Sequence, residues 1–193
     1  MIDLATKIRP DIRVFYINTG CQFKETDETK RLIKERYNLN LIEYGPDLGI
    51  EEQTRKYGEE LFKKDPDLCC HIRKVEPIKR ALKDLDAWIT GLRREQSPTR
   101  RNLAIVEVNE RDGKTLVKVN PLASWTRGQV WKHILRRGIP YNPLYDRGYT
   151  SIGCEPCTLP VRPGEDERAG RWAGTGKKEC GIHTFMEEFP AKS

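Results

Sequence analysis

The sequence predicts an α/β fold: a parallel sheet with flanking helices and an irregular C-terminal segment. Three observations carry this. Residues 12–17 (IRVFYI) form a short β-rich apolar run, and residues 39–44 (LNLIEY) form a second. A helical stretch lies between them, and strand–helix–strand at this spacing is a βαβ unit, whose strands run parallel. After Ile139 the periodicity fades, and Pro, Gly and three cysteines gather instead.

Each element has its own signal. Ile2, Ala5 and Ile8 fall at helical spacing, so the chain opens as if inside a helix. The first strand ends at the turn residues Asn18-Thr19-Gly20. Residues 28–36 read as helix with Leu32 and Ile33 as the apolar face, and Gly45-Pro46 closes the second strand. From Cys70, residues Ile72, Val75, Ile78 and Leu82 recur at helical spacing, with Pro77 set to bend or split that helix. Residues 87–90 (AWIT) read as a short buried strand. Residues 103–108 and 115–119 flank Asp112-Gly113, a hairpin signal. Thr126 with Gln129 has the form of a capping box. The helix it starts carries Val130, Trp131, Ile134 and Leu135 and stops at Gly138. This divides the chain into an α/β domain over 1–138 and a C-terminal segment over 139–193.

Composition narrows the class. A chain of 193 residues is long enough to bury a core, and 33% charged residues imply a polar surface. No apolar stretch is long enough to span a bilayer, and MIDLATKIRP lacks the pattern of a secretory signal. The expected location is cytoplasmic. The net charge of +6 comes from interspersed charges rather than basic runs, so neither a membrane nor a nucleic-acid partner is expected. A small anionic substrate needs only a few convergent cations.

Six cysteines carry the chemistry. In a reducing cytosol they point to metal or redox work rather than disulfides. Cys69-Cys70 and Cys154-x-x-Cys157 are two tight pairs, and four thiolates suit zinc or a [4Fe–4S] cluster. An adjacent pair is unusual for structural zinc, which favours iron–sulfur. Zinc and four ordinary buried thiols remain as alternatives. Cys180 sits in Glu179-Cys180-Gly181-Ile182-His183, where the glycine permits close approach of another group. His183 and Lys177-Lys178 would lower its pKa and favour a nucleophilic thiolate; the plainer reading is a spare thiol. Cys21 reads as a free loop thiol.

Cations cluster on the same segments. Gly91-Leu92-Arg93-Arg94-Glu95-Gln96-Ser97-x-x-Arg100 follows a predicted strand and suits phosphate or sulfate. Arg168 and Arg171, three apart, would share one helical face as a fork for a second anionic group. Lys74 lies one helical turn beyond Cys70, beside the expected metal centre. For each set the alternative is a solvated charged face.

Together these stretches resemble the bacterial and plant adenylyl-sulfate reductases of the 3′-phosphoadenylyl-sulfate (PAPS) reductase family. The similar stretches are Cys69-Cys70-x-x-Arg73-Lys74-Val75-Glu76-Pro77, Gly91-x-Arg93-Arg94-x-Gln96-Ser97-x-x-Arg100, Pro121-Leu122-x-x-Trp125-Thr126, Ile139-Pro140-Tyr141-Asn142-Pro143-Leu144-Tyr145, Gly153-Cys154-x-x-Cys157-Thr158 and Glu179-Cys180-Gly181-Ile182-His183. The resemblance runs from Ile12 to His183. It implies an adenine-nucleotide α-hydrolase-like fold and a [4Fe–4S] cluster on Cys69, Cys70, Cys154 and Cys157. It implies that Cys180 attacks the sulfur of adenylyl sulfate, that AMP leaves, and that an S-sulfo-cysteine forms. Thioredoxin or glutaredoxin then releases sulfite, in a pathway of sulfate assimilation and cysteine biosynthesis. Lys74, Gly91, Arg93, Arg100, Arg168, Arg171 and His183 match substrate-binding positions, and a homo-oligomer is compatible with the resemblance.

Two departures stand out. The family carries a strand and a Ser/Gly-rich phosphate loop ahead of the point where this sequence begins, which implies a truncated nucleotide-binding domain. Asn18 and Lys24 replace the family's usual Asp and Pro. The rival expectations are a PAPS reductase, a catalytically impaired cluster-binding fragment, and a nucleic-acid-binding zinc module. The two cysteine pairs favour adenylyl sulfate over PAPS.

Overall fold

The computed structural model describes residues 1–111 and 114–185. Helix α1 (Ile2–Ile8) is tied down by Asp3, a buried carboxylate. Asp3 accepts hydrogen bonds from Lys7 Nζ at 2.9 Å and Tyr37 Oη at 3.1 Å, and sits 2.9 Å from His133 Nε2. One side chain thus joins α1 to α2 (Lys24–Tyr37) and α7 (Arg127–Arg137).

Strands β1 (Val14–Ile17) and β2 (Leu41–Tyr44) pair in parallel, Val14 opposite Leu41. This is the expected βαβ unit. Past Gly45, the chain continues through α3 (Ile50–Tyr57), α4 (Leu61–Lys64), α5 (Pro66–Cys70) and α6 (Glu76–Leu82). Strand β3 (Ala87–Ile89) pairs in parallel with β5 (Lys114–Val119), and β4 (Val106–Arg111) lies antiparallel on the far side of β5. The strands therefore form two sheets, β1-β2 and β3-β5-β4, not one continuous parallel sheet. A cavity of ≈ 890 Å³ runs between β1 and β3, lined by Phe15, Ile17, Ile42, Ile78 and Trp88.

The core packs α6 against the second sheet. Val75, Ile78, Leu82, Trp88, Leu116 and Phe185 are buried together, with Ile17 and Ile182 packed on them. Ile182 and Phe185 anchor the end of the described chain in this core, two and five residues beyond Cys180. Burying side chains of this size contributes about 1.5–3 kcal/mol each.

Some expectations need correction in detail. Leu32 on α2 and Leu135 on α7 face solvent, so each helix packs through a narrower stripe than its apolar residues imply. Only Trp88 is buried in β3, whose Ala87 and Ile89 are exposed, so this strand is covered on one face. Strand β4 begins three residues later than expected. Asp112-Gly113 lies outside the described residues, although β4 and β5 pair antiparallel as a hairpin requires. The Thr126–Gln129 capping box is formed, and Gly138 ends α7 with φ +55°.

Candidate active site

The two cysteine pairs meet because two chain segments converge on the end of β1. Cys69 and Cys70 close α5 and lead into a π-helical turn, His71–Val75. Pro77 explains that turn. Proline has no N–H to give, and its ring would crowd the carbonyl four residues back in a regular helix; a wider turn relieves both problems. The turn carries Arg73 and Lys74 inward, where they are 3% and 6% exposed.

Cys154 arrives from the other side. It forms an isolated antiparallel bridge with Gln22, and Glu155 N–H donates to the Cys21 carbonyl at 2.8 Å. Thr19 Oγ1 lies 3.3 Å from Cys154 Sγ. Gly170 must be a glycine here, because a Cβ would strike the Leu159 carbonyl, and at Gly153 a Cβ would push the Arg171 guanidinium aside.

Cys69, Cys70, Cys154 and Cys157 all line one cavity of ≈ 140 Å³, together with Cys21, Arg73 and Lys74. All six cysteines are free thiols. Burial pushes the Cys69 thiol up to about 12, with Cys70, Cys157 and Cys154 adding to it. Burial likewise pushes Cys157 to about 11, with Cys154 adding to it. Cys70 is raised for the same first reason.

This donor set fits a multi-atom cluster. The four thiols face one cavity, and four thiolates around such a space are the ligand set that a cluster would use. Arg73 spends one terminal nitrogen on the Thr19 carbonyl at 2.7 Å, while its Nε and other terminal nitrogen have no acceptor in the protein. Trp172 Nε1 is likewise buried without a partner. Unpartnered buried donors are costly, and sulfur-rich acceptors in that cavity would relieve the cost at Arg73.

Trp172 organises the cations on the far side. Its backbone is left-handed, φ +48°, a strained conformation for a residue with a large side chain. Around its ring lie Arg171 at 4.4 Å, Lys177 at 5.7 Å, Lys74 at 5.8 Å and Arg168 at 5.9 Å. Burial opposes the Lys74 charge, but Cys154, Cys180 and Cys70 outweigh it and raise its pKa. Lys74 therefore lies within electrostatic reach of both the paired thiols and Cys180.

Cys180 is half-buried on a segment held by its neighbour. The Glu179 carboxylate accepts from Arg100 Nε at 3.0 Å and Nη2 at 2.7 Å, from Thr99 Oγ1 at 3.0 Å and from Arg168 Nη2 at 3.2 Å. Gly181 has φ +84°, and a Cβ there would stand 2.8 Å from Val75 Cγ2. Only glycine lets the Cys180 turn lie this close to the π-helical segment.

Each expected residue can now be placed. Arg100 and Arg168 hold the Cys180 segment through Glu179, Lys74 is coupled electrostatically to Cys180, and Arg171 lies over the Trp172 ring. Arg168 and Arg171 do not share a helical face: their segment is a series of turns, and both instead reach Ser151 Oγ, at 3.5 and 3.4 Å. Arg93 is buried in ion pairs with Glu95 at 3.0 Å and Glu167 at 3.1 Å. Gly91 lies on the rim of the larger cavity, near Met1. His183 does not activate Cys180 as an imidazolium. It stacks on Trp88 at 5.6 Å, and burial, then Arg100 and Lys118, push its pKa down to about 3. Lys177 pairs with Asp67. Thr19, Arg73, Glu167, Trp172 and Glu179 were not singled out for the roles they hold. Arg73 followed a cysteine pair and Glu179 preceded Cys180, which were the available signals.

Comparison with known proteins shows the family. Residues 1–160 match the family described as "Phosphoadenosine phosphosulfate reductase domain". The "Adenosine 5'-phosphosulfate reductase" of Halalkalibacterium halodurans is 49% identical over 184 residues, covering 95% of this chain and 79% of the relative. The "Phosphoadenosine 5'-phosphosulfate reductase" of Gloeobacter violaceus is 48% identical over 186 residues, covering 95% of this chain and 76% of that one. Among solved structures, phosphoadenylyl-sulfate (PAPS) reductase from Candida auris, in a phosphate complex, superposes with TM-score 0.70. It is 33% identical, over 82% of this chain and 76% of that one.

Proposed function

The chain belongs to the phosphoadenosine phosphosulfate reductase family, and on that premise we propose that Cys180 carries out the reduction of adenylyl sulfate to sulfite and AMP through a covalent intermediate. It is an oxidoreductase acting on a sulfur group. Relatives named for adenylyl sulfate at 46–49% identity support that nucleotide as the substrate. The observation that carries the role of Cys180 is its setting, on a segment pinned through Glu179 to Arg100 and Arg168, with buried Lys74 in electrostatic reach.

The steps follow from these groups. The Cys180 thiolate attacks the substrate's sulfur, forming an S–S bond as the bond from sulfur to the AMP phosphate oxygen breaks. AMP leaves with that electron pair, and Cys180 is left as S-sulfo-cysteine. Lys74, Arg168 and Arg171 screen the anionic sulfonyl group so that a second negative sulfur can approach. An external dithiol, thioredoxin or glutaredoxin, then attacks Cys180 Sγ. Sulfite departs, and the second thiol of the dithiol resolves the mixed disulfide, so the dithiol is oxidised as the sulfur is reduced.

Cys69, Cys70, Cys154 and Cys157 would hold a [4Fe–4S] cluster. When bound it would lock α5 to the 154–157 turn and set the charge facing Lys74. Arg73 and Thr19 would donate toward the sulfurs. No helix among the described residues is long and apolar enough to cross a membrane.

The test is a paired assay of sulfite and AMP release with adenylyl sulfate and with PAPS, in the presence of thioredoxin. Equimolar sulfite and AMP from adenylyl sulfate is expected. A strong preference for PAPS would contradict the assignment.

A further inference from the structure

The Arg100 and Arg168 guanidiniums are arranged as an anion clamp, yet in this structure the anion they hold belongs to the chain itself. Glu179 takes both Arg100 Nε and Nη2 in the forked geometry that arginine also offers to sulfate and phosphate. Thr99 and Arg168 complete four donors on one carboxylate. Burial works against the Glu179 charge, but Arg100, with Arg168 and Thr99, outweighs it and holds the carboxyl below its usual range. Burial and then the neighbouring Arg100 depress Arg168, with the Glu179 carboxylate acting the other way. Glu179 is also bonded directly to Cys180, and Gly181 follows in a left-handed conformation, so a backbone shift at Glu179 would carry Cys180 with it.

We infer that Glu179 is a positioning residue that occupies the Arg100–Arg168 clamp in place of the substrate's sulfate or phosphate group and yields it on binding, so that substrate entry repositions Cys180. This rests on the reading of the site as an adenylyl-sulfate site. A group that competes with substrate weakens its binding. A group that also aims the nucleophile supports turnover. Replacing Glu179 should therefore tighten binding and slow chemistry together. A merely structural contact would do neither of these in combination.

The test uses the full chain carrying Cys180→Ser, which binds but cannot react. Adding Glu179→Gln should tighten adenylyl sulfate binding by about tenfold, as removal of a charged competitor for an arginine fork implies. With Cys180 present, Glu179→Gln should lower KM and kcat alike. Should the Gln variant fail to fold, Glu179→Asp retains the charge but shortens the reach; a smaller tightening, about threefold, is then expected. Equal or weaker binding by the variants overturns the inference while leaving the substrate assignment intact. If the Cys180→Ser chain binds no adenylyl sulfate at all, the substrate assignment fails, and the inference with it.

Discussion

The paired cysteines and Cys180 are held by different physics. Cys69, Cys70, Cys154 and Cys157 are fixed by backbone: a π-helical turn, an isolated bridge at Gln22, and the glycine at 170. Cys180 is held by charge, through Glu179 on Arg100 and Arg168, and only then by the anchors Ile182 and Phe185. The difference fits the roles proposed for the two sets. A cofactor cradle would gain from rigidity, whereas a nucleophile that reaches a substrate and later an external dithiol would gain from a tether that an anion can release.

The sharpest way to separate the two sets is to mutate one thiol in each. Cys180→Ser should lower sulfite formation by on the order of 10⁴-fold or more with iron content unchanged, since nucleophile loss leaves only residual catalysis. Cys157→Ser should instead lose iron, and with it about 10 °C of melting temperature, because cluster affinity is folding energy. Iron analysis with calorimetry on both variants checks this; iron lost from the Cys180 variant would erase the distinction.

Arg100→Ala tests the charge tether. It removes the clamp and leaves Glu179 half-buried with fewer donors, so kcat/KM for adenylyl sulfate should fall by about 10²-fold. The effect should shrink as salt rises if the site is open to screening.

Much of this division was legible in the sequence. The two pairs, the lone Cys180 and the surrounding cations all stand in recognisable spacings. The βαβ unit, the Thr126 cap and the Gly138 stop were legible for the same reason, since each depends on residues within one turn or one strand. What was not legible depends on distant partners. Nothing local places Arg73 against Thr19, 54 residues away, or shows that Arg93 is consumed by Glu167. From the sequence His183 is expected to lower the Cys180 pKa because it stands three residues from the thiol, but its neighbour in space is Trp88. Helices α3 and α4 carry too few apolar residues for periodicity to reveal them.

Two smaller effects refine the picture. The His183 pKa is pushed down to about 3 from an ordinary 6.5, so the folded protein favours the neutral ring. Its contribution to stability is complete above pH 6.5 and declines as the pH falls from 6.5 toward 3, by at most about 1.4 kcal/mol per pH unit. Denaturant melts across that range should show a shallower slope for His183→Phe. Thr126→Ala, which removes the α7 cap far from either cysteine set, should cost about 1 kcal/mol and leave iron content and activity per folded molecule unchanged.

The most direct measurement of the central claim is mass spectrometry of the protein after one turnover with adenylyl sulfate and no reductant. The account predicts one SO₃ group on the peptide bearing Cys180, one equivalent of AMP in solution, and release of sulfite when a dithiol is added. AMP released without an adduct, or an adduct on Cys21 with Cys180 unmodified, would contradict it.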